Sequence, residues 1–295
     1  MTMLGFVGLG HMGTPMVQTL LKSGYSVMVH DVAVQAIEAL VAQGATAAGS
    51  LKQLAQRADV IITMLPAGKH VKEVCTQADG LFAHAKQNTL FIDCSSIDVD
   101  TSRSLSQIAH EKGFAMIDAP VSGGVAGAVS GTLTFMVGGP EQEFLRAKPL
   151  LEVMGQFIRH LGQSGNGQVA KICNNMILGI SLIAVSESFT LAKKLGLEPE
   201  KLFEIVSHSS GQCWAVTNYC PVPGLVPNAP SSYQYQPGFT ADMMLKDLRS
   251  SQQAAQSAGA ATPLGAEATA LYALFSNLGY GQLDSSAIIK LIEGK

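Results

Sequence analysis

The chain has 295 residues, 47% of them hydrophobic and only 14% charged, with a mean hydropathy of +0.25. That balance excludes intrinsic disorder, which needs low hydrophobicity and high charge. Lys and Arg number 11 against 13 Asp and Glu in residues 1–162, and eight against nine in residues 163–295, so neither half carries the basic stripe that a nucleic-acid partner requires.

The length fits one large domain or two of ordinary size. Uninterrupted apolar runs stay shorter than the roughly 18 residues of a membrane span, and the N-terminus lacks the basic region of a secretory leader. No membrane partner is therefore expected. The cysteines are Cys75, Cys94, Cys173, Cys213 and Cys220, an odd set without a CxxC pair. This argues against a disulfide framework or a metal site and for thiols kept reduced in the cytoplasm.

In chain order, short apolar runs at Leu4–Val7, Ser26–His30, Val60–Leu65, Thr89–Asp93, Ala115–Asp118, Thr132–Val137 and Phe157–His160 predict strands. Helical spacing between them predicts helices at Met12–Ser23, Val34–Gln43, Thr101–Lys112 and Glu141–Val153. Strand–helix alternation predicts parallel strands with crossover helices in an open α/β sheet. The pattern changes near Gly162. Helices are predicted at Gln168–Leu195, Leu202–His208, Ala241–Ser257, Pro263–Leu278 and Ser285–Ile292, around a proline-rich loop over 221–237. The expected organisation is a nucleotide-binding domain over 1–162 and an all-α substrate and oligomerisation domain over 163–295.

Gly8-Leu9-Gly10-His11-Met12-Gly13 follows the first strand and opens the first helix. That context turns a weak GxGxxG match into a dinucleotide fingerprint. Gly8 permits the tight turn, Gly10 lets a pyrophosphate approach, and Gly13 lets helix and strand pack closely. The helix N-terminus offers free amides to the phosphates. Asp31 ends the second strand 18 residues past Gly13, close to the spacing of about 20 at which a carboxylate meets the adenosine ribose. It repels a 2′-phosphate, and no basic residue follows before Lys52. NAD is therefore expected over NADP. A simpler role for Asp31 is to cap the helix that starts at Val34.

Strand ends provide further candidates, since ligands of open α/β sheets sit beyond the carboxyl ends of strands. Leu65 and Pro66 are placed on the adenine–ribose path. Ser96 is placed at the nicotinamide ribose or, equally, at a helix cap. Ser122-Gly123-Gly124 forms a small nest suited to a carboxylate. Lys171 and Asn175, four apart in Gly165–Asn175, share one helix face, with Gly167 leaving room above the lysine. A lysine in such apolar surroundings either reaches to solvent or is held for chemistry. Further on, Asp242 and Lys246 are spaced as a surface ion pair of small worth.

The chain as a whole resembles the β-hydroxyacid dehydrogenase family. The likeness is carried by GLGHMG at 8–13, DAPVSGG at 118–124, GTLTFMVGG at 131–139, GNGQVAKICNN at 165–175 and KDL at 246–248. It implies an N-terminal Rossmann domain, with a doubly wound and mostly parallel sheet, followed by an all-α C-terminal domain that mediates a homodimer or homotetramer. It also implies NAD-dependent oxidation of a small 3-hydroxy acid. By the resemblance Lys171 is the catalytic lysine and Ser122, Gly123, Gly124 and Asn175 bind substrate. Lys246 sits at the nicotinamide end, and Leu65, Pro66, Ser96 and His70 contact cofactor. Trp214, in a stretch similar to one that closes the pocket in the hydroxyisobutyrate branch, and Phe239 line the substrate.

The implied chemistry has Lys171 taking the hydroxyl proton, since burial and a cationic neighbour bring a lysine toward the working range, while Asn175 orients the hydroxyl. Sibling substrates of the same family are 3-hydroxypropionate, serine, tartronate semialdehyde and succinic semialdehyde. A catalytically inactive NAD-binding assembly module is a third reading, and the presence of both Lys171 and Asn175 speaks against it.

Overall fold

The computed structural model describes residues 2–294. It divides into two compact units, residues 1–171 and 172–295.

Among the described residues of the first unit nine strands form: β1 (Met3–Val7), β2 (Ser26–His30), β3 (Thr46–Ala47), β4 (Val60–Thr63), β5 (Leu90–Asp93), β6 (Ala115–Asp118), β7 (Val121–Ser122), β8 (Leu133–Val137) and β9 (Gly155–His160). Six make a parallel sheet in the order β3-β2-β1-β4-β5-β6. This is the doubly wound order, whose direction of growth reverses between β1 and β4 and opens a crevice at their carboxyl ends. The central strands read as unbroken apolar runs because both faces are covered. Leu4, Phe6, Ile61, Ile62 and Ile92 are fully buried.

Three departures from the sequence expectation follow from local chemistry. The expected single sheet is two: β7, β8 and β9 form a separate three-stranded sheet in which β7 runs antiparallel to β8. After β6 the chain passes Ala119-Pro120, and a proline cannot donate to a ladder, so β6 ends there and only an isolated bridge, Asp118 to Gly138, joins it to the second sheet. Next, the strand expected to reach Leu65 ends at Thr63, which leaves Leu65 and Pro66 on the loop beyond it. Finally, the helices Leu51–Arg57, Gly68–Thr76, Leu81–His84 and Gly124–Ser130 form where no helix is expected. They are short, and the last is glycine-rich enough to read as a turn.

The second unit is helical. The helix Asn166–Lys194 starts in the first unit and continues into it, and Pro199–Ser207, Ala241–Ala258 and Pro263–Phe275 follow. Among the described residues its only β pairing is an isolated bridge between Thr240 and Asp284. The proline-rich loop holds one 3-10 turn, Pro230–Tyr233, followed by two left-handed residues, Gln234 and Tyr235. The core gathers on Leu182, Phe189, Met244, Leu248, Tyr272 and Phe275. Taken as a helix, Asn166–Lys194 is long and apolar enough by length and composition to cross a membrane, although Asn174, Asn175, Ser186 and Glu187 interrupt its apolar run. Of its most apolar stretch 44% is buried, and the rest is half-buried or exposed in this chain.

Candidate active site

The glycine fingerprint sits at the carboxyl end of β1, in the crevice. Gly8 has φ +100, and a Cβ there would strike the Met64 carbonyl on the neighbouring strand end. At Gly13 a Cβ would strike the Gly8 carbonyl. Both are therefore demanded by close backbone approach. Gly10 differs: a Cβ there would meet nothing within 4 Å. Open space over a backbone beside a helix N-terminus is what a pyrophosphate needs, so the cradle fits a dinucleotide. Leu9, Gly10, His11 and Met12 form the turn into the helix Gly13–Lys22, whose N-cap, Met12, offers no side-chain partner to the first amides.

Asp31 holds this turn. Its Oδ2 accepts from the Leu9 amide at 2.5 Å and its Oδ1 from the Ala33 amide at 2.7 Å. The cap of the following helix is Ala33, not Asp31. Each carboxylate oxygen keeps a further lone pair for a ribose hydroxyl.

At the ends of β4 and β5 the sequence points to Leu65, Pro66 and Ser96, but the buried scaffold is built from Thr63, Asp93 and Ser95. Asp93 Oδ1 accepts from Thr63 Oγ1 at 2.8 Å and from the Ser95 amide at 3.1 Å. The Ser95 hydroxyl in turn accepts from the Leu65 amide at 2.8 Å. Ser96 is not the helix cap either: Asp98 takes that place, accepting from the Thr101 amide. Asp93 Oδ2 is buried without a partner. Burial pushes the Asp93 carboxyl up to about 6, against the pull of hydrogen bonds from Ser95 and Thr63, and the charge of Asp118 adds to the rise.

A carboxyl raised on folding favours the folded state while it is protonated. That contribution is full below the unfolded value near 3.8 and is lost as pH rises through about 6. Asp93→Asn is therefore expected to gain stability relative to the parent as pH goes from 4 to 7. Denaturant melts at both pH values check this, and a pH-independent difference would count against it.

Asp118, at the end of β6, is tied to the start of the long helix. Its Oδ1 accepts from the Gly165 amide at 2.7 Å and its Oδ2 from the Gln168 amide at 3.0 Å. A carboxylate on unsatisfied first-turn amides anchors a helix and complements its dipole. Burial still raises the Asp118 carboxyl, although the Gly165 and Gln168 amides oppose it. Gly167 belongs to this packing. A Cβ there would strike the Met136 carbonyl and crowd Asp118, so its role is close approach to strand ends, not room above Lys171.

Three residues beyond Gln168 lies Lys171, 8% exposed, and one turn further Asn175, 2% exposed. An ordinary helical lysine would be solvated; this one is not. Ser122, Gly123 and Gly124 close the first unit's candidates. Gly123 and Gly124 have φ of +124 and +60, positive values that glycine adopts without strain.

In the second unit Asn175 Nδ2 donates to Asp247 Oδ2 at 2.5 Å, and Lys246 Nζ lies 3.3 Å from Asp247 Oδ1. Asp242 accepts from Ser276 Oγ and Gln282 Nε2. Trp214 is 53% exposed and stacks on Tyr219 at 4.9 Å. The Tyr219 hydroxyl donates to Asp284 Oδ2 at 2.6 Å, which also accepts from the Phe239 amide at 3.1 Å. One carboxylate thus links Trp214, through Tyr219, with Phe239. His70 keeps a buried Nδ1 without a partner on the helix after Pro66. Sequence reasoning missed Asp93, Gln168 and Asp284. The first ends a strand beside hydroxyl residues, and the second sits inside the GNGQVAK run.

Comparison with known proteins completes the identification. Residues 3–162 match the family described as the NAD binding domain of 6-phosphogluconate dehydrogenase, and residues 165–292 the one described as NAD-binding of NADP-dependent 3-hydroxyisobutyrate dehydrogenase. Among curated proteins, a Pseudomonas aeruginosa 3-hydroxyisobutyrate dehydrogenase is 48% identical, with all of both chains covered. A P. aeruginosa NAD-dependent L-serine dehydrogenase is 47% identical over 99% of this chain and 98% of its own. A solved structure of Mycobacterium tuberculosis 3-hydroxyisobutyrate dehydrogenase with L-serine matches at a TM-score of 0.94, 43% identity and 99% coverage of each chain. The fold and the glycine cradle define a dinucleotide-binding protein, and these relatives make it an NAD-dependent dehydrogenase of β-hydroxyacids. Within that class, the chain belongs to the 3-hydroxyisobutyrate dehydrogenase family.

Proposed function

We propose that this protein oxidises 3-hydroxyisobutyrate to methylmalonate semialdehyde, as in valine breakdown, with Lys171 moving the hydroxyl proton. The observation that carries the reading is the burial of Lys171 one helical turn from buried Asn175. Gly8 through Gly13, Asp31, Leu65, Pro66 and Ser96 would hold the cofactor, with His70 and Lys246 assigned to it by resemblance. When bound, NAD supplies the acceptor for the hydride on the hydroxyl-bearing carbon.

The nest amides at Ser122, Gly123 and Gly124 take the substrate carboxylate. Lys171 accepts the hydroxyl proton during oxidation and returns it in the reverse direction. Asn175 orients the hydroxyl. Its Nδ2 is fixed by Asp247, so one amide hydrogen is committed and the other is free to point at the oxygen. An arginine at 171 could hold charge there but could not exchange a proton.

A second reading, oxidation of L-serine, is favoured by the serine dehydrogenase relative and by the serine named with the mycobacterial structure. The two substrates differ by a methyl against an ammonium. An ammonium needs an acceptor, and Asp247, the acidic residue beside Asn175, is 3% exposed and engaged by Asn175 and Lys246. Trp214 and Phe239, assigned to the pocket, suit a methyl. A panel of 3-hydroxyisobutyrate, 3-hydroxypropionate and L-serine with NAD is expected to rank 3-hydroxyisobutyrate first in kcat/KM by about 10- to 100-fold, the worth of a well-seated methyl. L-Serine ranking first would replace this reading.

We further propose a cytoplasmic homodimer or homotetramer. In support, Ile177, Leu191 and Leu195 are 64%, 59% and 76% exposed on or just after the long helix, an apolar stripe of the kind that subunits cover. All five cysteines are free thiols.

A further inference from the structure

The first unit contains a buried side chain that no catalytic or binding role yet uses. Gln168 is 0% exposed. Its Nε2 donates to the Ser95 carbonyl at 2.7 Å, and its Oε1 accepts from the Ile97 amide at 3.1 Å. One amide thus grips the backbone on both sides of Ser96. Ser95 in turn holds the Leu65 amide through its hydroxyl, and Asp118 holds the Gln168 amide from behind. The residues assigned to cofactor at the ends of β4 and β5 are therefore tied, through one side chain, to the first turn of the helix bearing Lys171. Lys171 follows three residues later, a rise of roughly 4.5 Å along the helix.

We propose that Gln168 is a positioning residue for the reaction, a clamp that sets Ser96 and Leu65 relative to Lys171. The proposal rests on the reading of Lys171 as the proton-transfer group and Ser96 as a cofactor contact. The chemistry explains the residue type. The site needs one donor toward a carbonyl and one acceptor toward an amide, both buried. Glutamine supplies both. An ionised glutamate would set an acceptor against the Ser95 carbonyl, asparagine is one methylene short, and methionine matches the shape without either bond. A buried amide and carbonyl left unpaired loosen the loop, and misplacement of reacting groups by about 1 Å costs on the order of 100-fold in rate.

The test compares Gln168→Met, Gln168→Glu and Lys171→Ala in the full-length protein. In cofactor-free Gln168→Met, the Ile97 amide is expected to exchange hydrogen about tenfold faster, while amides of the helix Gly13–Lys22 stay unchanged. In turnover, the kcat of Gln168→Met is expected to fall about 10- to 100-fold, with the Kd for NADH, read by fluorescence, within about threefold of the parent. Gln168→Glu is expected to recover as pH falls, because the protonated carboxyl again donates to Ser95, and the parent shows no such recovery. Unchanged Ile97 exchange, an unchanged kcat in Gln168→Met, or a Gln168→Glu profile parallel to the parent overturns the clamp. Lys171→Ala separates the two levels. If it is inactive while Gln168→Met turns over normally, only the clamp fails; if it is active, the reading on which the clamp rests fails with it.

Discussion

Lys171→Ala is expected to lower kcat by about 10³-fold or more while NADH still binds, since acid–base groups contribute roughly 10²–10⁴-fold and a buried neighbour is lost as well. Stopped-assay turnover and fluorescence titration of NADH measure the two effects separately. The expectation follows from position. Lys171 is buried in a chain with few charges, and its helix is anchored at the first turn by Asp118 and Gln168. Alanine suits a helix better than lysine or nearly as well, so the fold should survive. Lys171→Arg keeps the charge and should remain inactive, because a guanidinium does not release its proton. Turnover within tenfold of the parent in Lys171→Ala would remove the assignment.

Asp31→Ser should cut kcat/KM for NAD by about 100-fold and leave NADP the equal or better cofactor. Two effects combine. The carboxylate is lost as the acceptor proposed for the ribose hydroxyls, and charge-assisted hydrogen bonds are each worth about 1.5–3 kcal/mol. Its negative charge, which opposes a 2′-phosphate, also disappears. A third consequence is structural, since Asp31 also holds the Leu9 amide of the phosphate turn. Thermal melts without cofactor should also fall by a few degrees, because the Leu9 and Ala33 amides lose a charged acceptor. The parent should prefer NAD over NADP in kcat/KM, and a parent preference for NADP would refute the role given to Asp31.

Much of this was legible in the residues. The alternation of apolar runs and helical spacing located the strands of the parallel sheet, because buried parallel strands are apolar on both faces and therefore stand out. The glycine fingerprint was legible because its demands are backbone demands, visible at Gly8 and Gly13 as carbonyls lying where a Cβ would be. What stayed hidden depends on pairing between distant segments. Nothing local in Val121–Ser122 says that it turns antiparallel to β8 and starts a second sheet. Short amphipathic helices such as Leu51–Arg57 carry too few turns for a period to show. At the site, the hydroxyl run after β5 points to Ser96, yet Ser95, Asp93 and Gln168 do the bracing. Apart from the Ser95 amide on Asp93, their hydrogen bonds span 30 to 73 positions in sequence, and no spacing rule reaches that far.

Lys171 and Asn175 lie four positions apart inside one unbroken helix of 29 residues, with no loop between them. Their mutual geometry is thus fixed by helical regularity, which drift in the surrounding loops leaves alone. This makes the pair tolerant of one class of genetic change and intolerant of another. Insertions in the proline-rich loop over 221–237 leave their alignment untouched. A single codon gained or lost between 171 and 175 rotates one residue about 100° away from the other. Lineages of this chain should therefore vary in loop length far more readily than in the count of residues between these two.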